Sequence, residues 1–145
     1  MKINIIYDSK YGNGKTISED LMEMVKENGL EAHIYSLKST NPEKIGYADF
    51  FVFSSPTRFG GPSRRMKKMI KKGSLPENGE YGLITTSKKD GEKTAIEMSK
   101  MLEERGMHKK VDDLNLKVEG KKGPLEKGYR DKIKRFYGDI ANVTA

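Results

Sequence analysis

Apolar positions along the chain follow two alternating rhythms. Residues 3–7 form a run in which Ile3, Ile5, Ile6 and Tyr7 surround a single Asn4, which suits a strand buried on both faces. From Thr16 onward, Ile17, Leu21, Met24 and Val25 recur at helical spacing with charges between them, and Gly29 supplies a stop. In residues 31–37, Ala32 and Ile34 alternate with His33 and Tyr35, the pattern of an edge strand. Thr40, Asn41 and Pro42 predict a turn, with one helical turn before Ala48. Residues 50–53 are uninterrupted Phe and Val, a central strand, which ends in the loop Ser54-Ser55-Pro56-Thr57-Arg58-Phe59-Gly60-Gly61. Pro62 suits the first turn of the helix that follows. Met66, Met69 and Ile70 mark the inner face of that helix, and Arg64, Arg65, Lys67, Lys68, Lys71 and Lys72 cover the outer one.

After a turn-rich connection over residues 73–80, residues 81–85 read as another central strand, ending in Thr86-Ser87-Lys88-Lys89-Asp90-Gly91. Ala95, Met98, Met101 and Leu102 define a third helix, stopped by Gly106. Leu114, Leu116 and Val118 alternate with polar residues as a second edge strand. Beyond Gly123-Pro124, the stripe Leu125, Tyr129, Ile133, Phe136, Tyr137 and Ile140 predicts a long last helix. Strand and helix thus alternate five times without repeat, low-complexity tract or linker. The expectation is one α/β domain over residues 1–145, with right-handed crossovers and helices on both faces of a five-stranded parallel sheet. Placing the two alternating strands outermost gives the doubly wound order 2-1-3-4-5, a three-layer sandwich.

Ligands of such sheets bind outside the carboxyl ends of the strands, at the point where connections diverge to opposite faces. Here that point lies between strands one and three. It collects Ser9-Lys10-Tyr11-Gly12-Asn13-Gly14-Lys15-Thr16, the loop 54–61 and, beside them, the loop 86–91. A strand feeding a Gly-rich turn at a helix start gathers unpaired N–H groups at the positive end of the helix dipole, a site for phosphate. Ser9 and Thr16 add hydroxyl donors, Lys10 and Lys15 add charge, and Ser9, Gly12 and Gly14 let the backbone approach an anion. Two of the loops carry an aromatic, Tyr11 and Phe59. Phe59 either packs under its loop or touches a ligand. A phosphate cradle beside an aromatic, Gly-containing loop is what flavin mononucleotide (FMN) needs.

With those residues in view, the sequence resembles the flavodoxin family over nearly its whole length. The run Ile5-Ile6-Tyr7-Asp8-Ser9-Lys10-Tyr11-Gly12-Asn13 follows that family's opening pattern, with Gly14 where the family usually has Thr and Thr16 two places later. Ser55-Pro56-Thr57-Arg58-Phe59-Gly60 is similar to the corresponding loop of flavodoxin-like quinone reductases. The resemblance implies that Ser9, Tyr11, Gly12, Asn13, Gly14 and Thr16 hold the FMN phosphate, and Lys10 joins them as a cofactor-binding residue through its charge. It further implies that Pro56, Thr57, Arg58, Phe59 and Gly60 border the isoalloxazine, while Gly61 next to them and Thr86, Ser87 and Asp90 of the neighbouring loop are counted into the cofactor site from their place at the same rim. It also implies that Gly60 or Gly61 lets a peptide turn its carbonyl toward flavin N5, since Gly tolerates either orientation. The third loop departs from the family in offering Asp90 but no second aromatic.

Composition narrows the classes. A net charge of +7 and a pI near 9.4 favour acidic partners, where many flavodoxins are themselves acidic. The chain has no cysteine, so disulfides and thiol chemistry are excluded. His33 and His108 are far apart and lack metal-ligand spacing. No apolar run approaches a membrane span and the first residues are too polar for a secretion signal, so a cytoplasmic protein is expected. Residues 9–16 match a nucleotide P-loop except at the first Gly, but neither central strand ends in the acidic residue that would hold magnesium. The expectation is an FMN-binding electron carrier that meets an acidic redox protein through the basic helix from Arg64 to Lys72. An FMN-dependent NAD(P)H or quinone reductase stands as one alternative. A flavodoxin-like binding module without flavin is the other, and no RNA-binding signature supports nucleic acid.

Overall fold

A computed structural model describes residues 1–144. Strand β1 (Lys2–Tyr7) leads through α1 (Asn13–Glu27) to β2 (Glu31–Ser36), and a one-turn 3-10 helix (Pro42–Lys44) precedes β3 (Phe50–Arg58). There follow β4 (Gly61–Pro62), α2 (Arg64–Lys72), β5 (Glu80–Ser87), α3 (Gly91–Glu104), β6 (His108–Lys109), β7 (Leu114–Lys117) and α4 (Tyr129–Thr144).

The sheet runs β2-β1-β3-β5 in parallel, and the outer edge of β5 is taken first by β6 and then by β7. Counting β6 and β7 as one interrupted edge strand, and setting the short β4 aside, this is the doubly wound path expected from strand polarity. The interruption itself was not expected. Glu80 faces His108 and Ile84 faces Leu114, so the edge carries two residues more than β5 does over the same stretch. The extra length turns Val111 inward, where it is buried, and Gly82 makes the room. A Cβ on Gly82 would lie 2.6 Å from Val111 Cγ2.

Side chains of the central strands alternate between two cores, as the period of a strand requires. Ile3, Ile5, Phe50, Val52 and Ile84 pack against α1 and α4, through Ile17, Leu21, Ile133 and Phe136. Ile6, Phe51, Phe53, Tyr81 and Leu83 pack against α2 and α3, through Met66, Met69, Ile70, Met98 and Leu102. The Met and Ile face of α2 is therefore core, and its cations face out.

Five boundaries differ from the sequence reading, the first being that Thr86 and Ser87, expected in a loop, end β5. Helix α1 begins at Asn13, three residues before Thr16, because Gly12 at φ 101° turns the chain directly into the helix. Residues 54–58 continue β3 past the end of β1, which pairs last at Tyr7 with Ser54. Pro56 is tolerated there because the strand has become an edge on that side. Pro62 lies in β4, not in the first turn of α2, which is capped by Ser63 Oγ accepting the Met66 N–H at 3.2 Å. Leu125 precedes α4 and bridges back to Val118 instead of opening the helix.

Candidate functional site

The first loop is folded by its own groups. The Asp8 N–H donates to the Ser54 carbonyl at 3.0 Å, which fixes where the chain leaves the sheet. Ser9 Oγ accepts the Gly12 N–H at 3.1 Å, curling residues 9–12 into a turn. The first intrahelical bond runs from the Thr16 N–H to the Gly12 carbonyl at 3.0 Å. The N–H groups of Asn13, Gly14 and Lys15 therefore lie before the helix ladder begins. No acidic residue stands in the first turn to neutralise that end of the dipole.

The second loop is a two-residue hairpin. Arg58 faces Gly61 and Thr57 faces Pro62, leaving Phe59 and Gly60 as the turn with φ of 52° and 77°. Both values are positive, which is the type I′ geometry. Phe59 is fully exposed at the tip, so it does not pack under the loop. The hairpin is held from behind. Thr57 Oγ1 and Thr94 Oγ1 of α3 share a hydrogen bond of 2.8 Å. Gly61 lies so close to α3 that a Cβ there would be 2.8 Å from Glu97 Oε2.

Thr86 and Ser87 end β5, and Lys88, Lys89 and Asp90 form the third loop into the start of α3, where Asp90 adopts φ 65° without capping the helix through its side chain. A fourth stretch, following β7, was not anticipated. It supplies Val118, Gly120 and Lys121, and its Lys121 carbonyl accepts the Asn13 amide at 3.2 Å. The bulge that lengthens the edge strand and the bridge from Leu125 to Val118 are what bring it there, and neither leaves a periodic signal in sequence.

These four stretches enclose a cleft of about 570 Å³ at the carboxyl ends of β1, β3 and β5. Ser9, Lys10, Tyr11, Asn13, Gly14, Pro56, Thr57, Arg58, Phe59, Gly60, Thr86, Ser87 and Asp90 line it as the sequence places them. Three candidates do not. Thr16 is exposed one turn along α1. Gly12 serves as the helix cap behind the cleft, and Gly61 is buried against Glu97. Among the described residues the lining has five cations, Lys10, Arg58, Lys88, Lys89 and Lys121, against Asp8 and Asp90. Lys10 Nζ and Arg58 Cζ stand 5.5 Å and 5.7 Å from the centre of the Tyr11 ring, a pair of cation–π contacts. Asp8 is buried and takes Arg65 Nη1 of α2 at 3.3 Å, so one of the two carboxylates is already neutralised. The cleft is therefore electropositive, with a helix start, hydroxyls and an exposed aromatic at its rim.

Among the described residues no group of three His, Asp or Glu side chains is placed to hold a metal ion. Among the described residues no helix is long and apolar enough to cross a membrane.

No protein-family model matches the sequence. Over 84 residues, 57% of its length, the chain is 31% identical to a flavodoxin from Clostridium saccharobutylicum, and the match spans about half of that relative, 49%. A flavodoxin from the domain Archaea superposes with a TM-score of 0.78 at 20% identity, over 98% of this chain and 97% of that one. Rubredoxin oxygen:oxidoreductase from Desulfovibrio gigas superposes with a TM-score of 0.81 at 20% identity, over 98% of this chain but 35% of that much longer one. The architecture is the flavodoxin fold, and it recurs both as a short chain and as part of a larger protein.

Proposed function

We propose that this chain, which carries the flavodoxin fold from end to end, binds FMN in the four-loop cleft and carries electrons between redox proteins. The observation that supports this most directly is the convergence of the open start of α1 and the Phe59-Gly60 hairpin on one half-enclosed cleft. Its volume lies within the roughly 300–1,000 Å³ of small-molecule sites. The backbone N–H groups of Asn13, Gly14 and Lys15 would hold the phosphate, with Ser9 Oγ and Lys10 beside them. Tyr11, Pro56, Thr57, Phe59 and Gly60 offer aromatic and backbone surface to a flat ring, and Thr86, Ser87 and Asp90 close the opposite wall. Bound there, FMN would supply the one- and two-electron redox chemistry.

The residues do the rest. The cations around the rim favour the negative charge that accompanies reduction. The free backbone of Gly60 leaves the hairpin peptide able to reorient toward the ring. The outer face of α2, Arg64 to Lys72, adjoins the cleft through the Arg65–Asp8 pair and would draw an acidic redox protein toward the rim.

The absorption spectrum of freshly purified protein, followed by titration with FMN and then with ATP, tests the reading. Quenching of flavin fluorescence that an excess of ATP does not reverse is the expected result. Colourless protein that leaves added FMN fluorescent would reduce the chain to a binding module of this fold. Rapid oxidation of NAD(P)H by the FMN-loaded protein alone would make it a reductase instead of a carrier.

A further inference from the structure

We propose a second anion site, for a small molecule bearing a chain of phosphates, in the groove between α2 and the segment that follows β2. The groove measures about 560 Å³ and shares no lining residue with the cofactor cleft. One wall is Arg65, Lys68 and Lys72; the other is formed by Thr40, Asn41 and Glu43. The three cations fall at i, i+3 and i+7, a spacing that puts them along one face of a helix.

Helix α2 has six cations in nine residues and no acid. Arg64 and Lys68, Lys67 and Lys71, and Lys68 and Lys72 are like-charge pairs one turn apart, an arrangement that destabilises a helix unless an anion relieves it. On one side relief exists, since Lys67 lies 3.6 Å from Glu97. On the groove side Lys68 and Lys72 have no ion-pair partner among the described residues, and Glu43 is the lining's one carboxylate. Across from them, Asn41 Oδ1 accepts the Glu43 N–H at 3.0 Å, which leaves the Asn41 amide hydrogens and the Thr40 hydroxyl as donors. Arg65 and Lys72 are separated by about 10 Å of helix axis, so charge spread over two or three phosphates matches the groove better than a single one. Arg65 also reaches Asp8 at 3.3 Å, which puts the groove next to the cleft but on its own cations.

Calorimetric titration of the whole chain with tripolyphosphate, ADP and orthophosphate, in low salt without metal, tests the site. Tripolyphosphate should bind, and the variant Lys68→Glu/Lys72→Glu should weaken it by about tenfold or more. The cleft variant Lys88→Glu/Lys89→Glu changes the net charge by the same amount and should weaken binding far less than the groove variant does, which separates contact in the groove from overall charge. ADP binding as well as or better than tripolyphosphate identifies a nucleotide as the ligand source, and weaker ADP binding a bare phosphate chain. Circular dichroism checks that both variants fold, and FMN titration of the groove variant is read separately, so failure of either site leaves the other standing. Absence of tripolyphosphate binding overturns the proposal, as does orthophosphate binding equally well. Unchanged affinity in the groove variant also overturns it; should that variant lose an acidic redox protein instead, the face belongs to a protein.

Discussion

Gly14 passes beneath the backbone carbonyl of Asp8 so closely that a Cβ on it would stand 3.0 Å from that oxygen and 3.3 Å from Ser9 Cβ. The strand end and the helix start are thus pressed together at the loop proposed to hold phosphate. Position 14 is where the flavodoxin pattern usually has Thr, so the missing hydroxyl is tied to the way this loop packs. The substitution Gly14→Thr should not restore a phosphate ligand. It should lower stability by about 1–3 kcal/mol, as overpacking does, and weaken FMN binding with it. Urea midpoints and FMN titration of the pair check this; a Thr variant of wild-type stability that binds FMN more tightly would show that the loop yields freely.

Phe59 stands at φ 52° in a turn that ordinarily takes Asn or Gly, and its ring is fully exposed. Neither burial nor backbone preference explains a Phe there, and a strained residue at a cleft rim points to use by a ligand. Phe59→Asn should therefore stabilise the flavin-free protein by about 1 kcal/mol, the cost of a non-Gly residue in the left-handed region. The same change should weaken FMN binding by roughly three- to tenfold, the worth of one aromatic contact. Opposite signs in thermal unfolding and in flavin titration are the diagnostic. A variant that loses both stability and affinity would mean that Phe59 supports the hairpin.

How far the sequence revealed this site follows from what leaves a periodic trace. Ile3, Ile5, Phe51 and Phe53 announce the central strands because burial on both faces demands apolar runs, and the sheet order then dictates which loops meet. Tyr11, Phe59 and Asp90 come to the cleft in that way. The hairpin at Phe59-Gly60 was less legible, since Pro56 looks like a strand breaker until β1 is seen to have ended. Val118, Gly120 and Lys121 were invisible as site residues. They reach the cleft through a two-residue lengthening of the edge and a bridge to Leu125, both long-range features without local signature. Thr16 lies outside the cleft lining because the helix begins at Asn13, three residues before its apolar stripe does.

Asp20 on α1 gives a pH-dependent prediction away from the cleft. Burial pushes its carboxyl above 3.8, outweighing Arg130 at 3.7 Å, and Glu23 and Glu19 push the same way. The folded chain then holds this proton more tightly than the unfolded one, so stability falls as pH rises from 3.8 through the raised value. The cost is fully present at neutral pH and absent in acid. Asp20→Asn should raise the urea midpoint at about pH 7 and leave it unchanged at about pH 3. An equal gain at both values would trace the effect to packing and not to charge.

The five cations around the cleft make the last prediction, and it concerns potential more than affinity. Lys88 and Lys89 belong to the loop that enters α3, away from the α1 cradle, so removing their charge alters the field over the ring without touching the phosphate donors. A charge at roughly 10 Å contributes about 0.4 kcal/mol even in a water-like dielectric. Reduction adds negative charge to the bound flavin, and that contribution stabilises the reduced state. Lys88→Gln/Lys89→Gln should therefore make the potential more negative by a few tens of millivolts, about 59 mV corresponding to a tenfold change for one electron. Because the groups are near solvent, the gap between variant and wild type should narrow in about 1 M salt, where the screening length falls to about 3 Å. A spectroelectrochemical titration at low and high salt reads both effects. A potential that ignores the two lysines would mean that the ring is governed by the hairpin backbone alone.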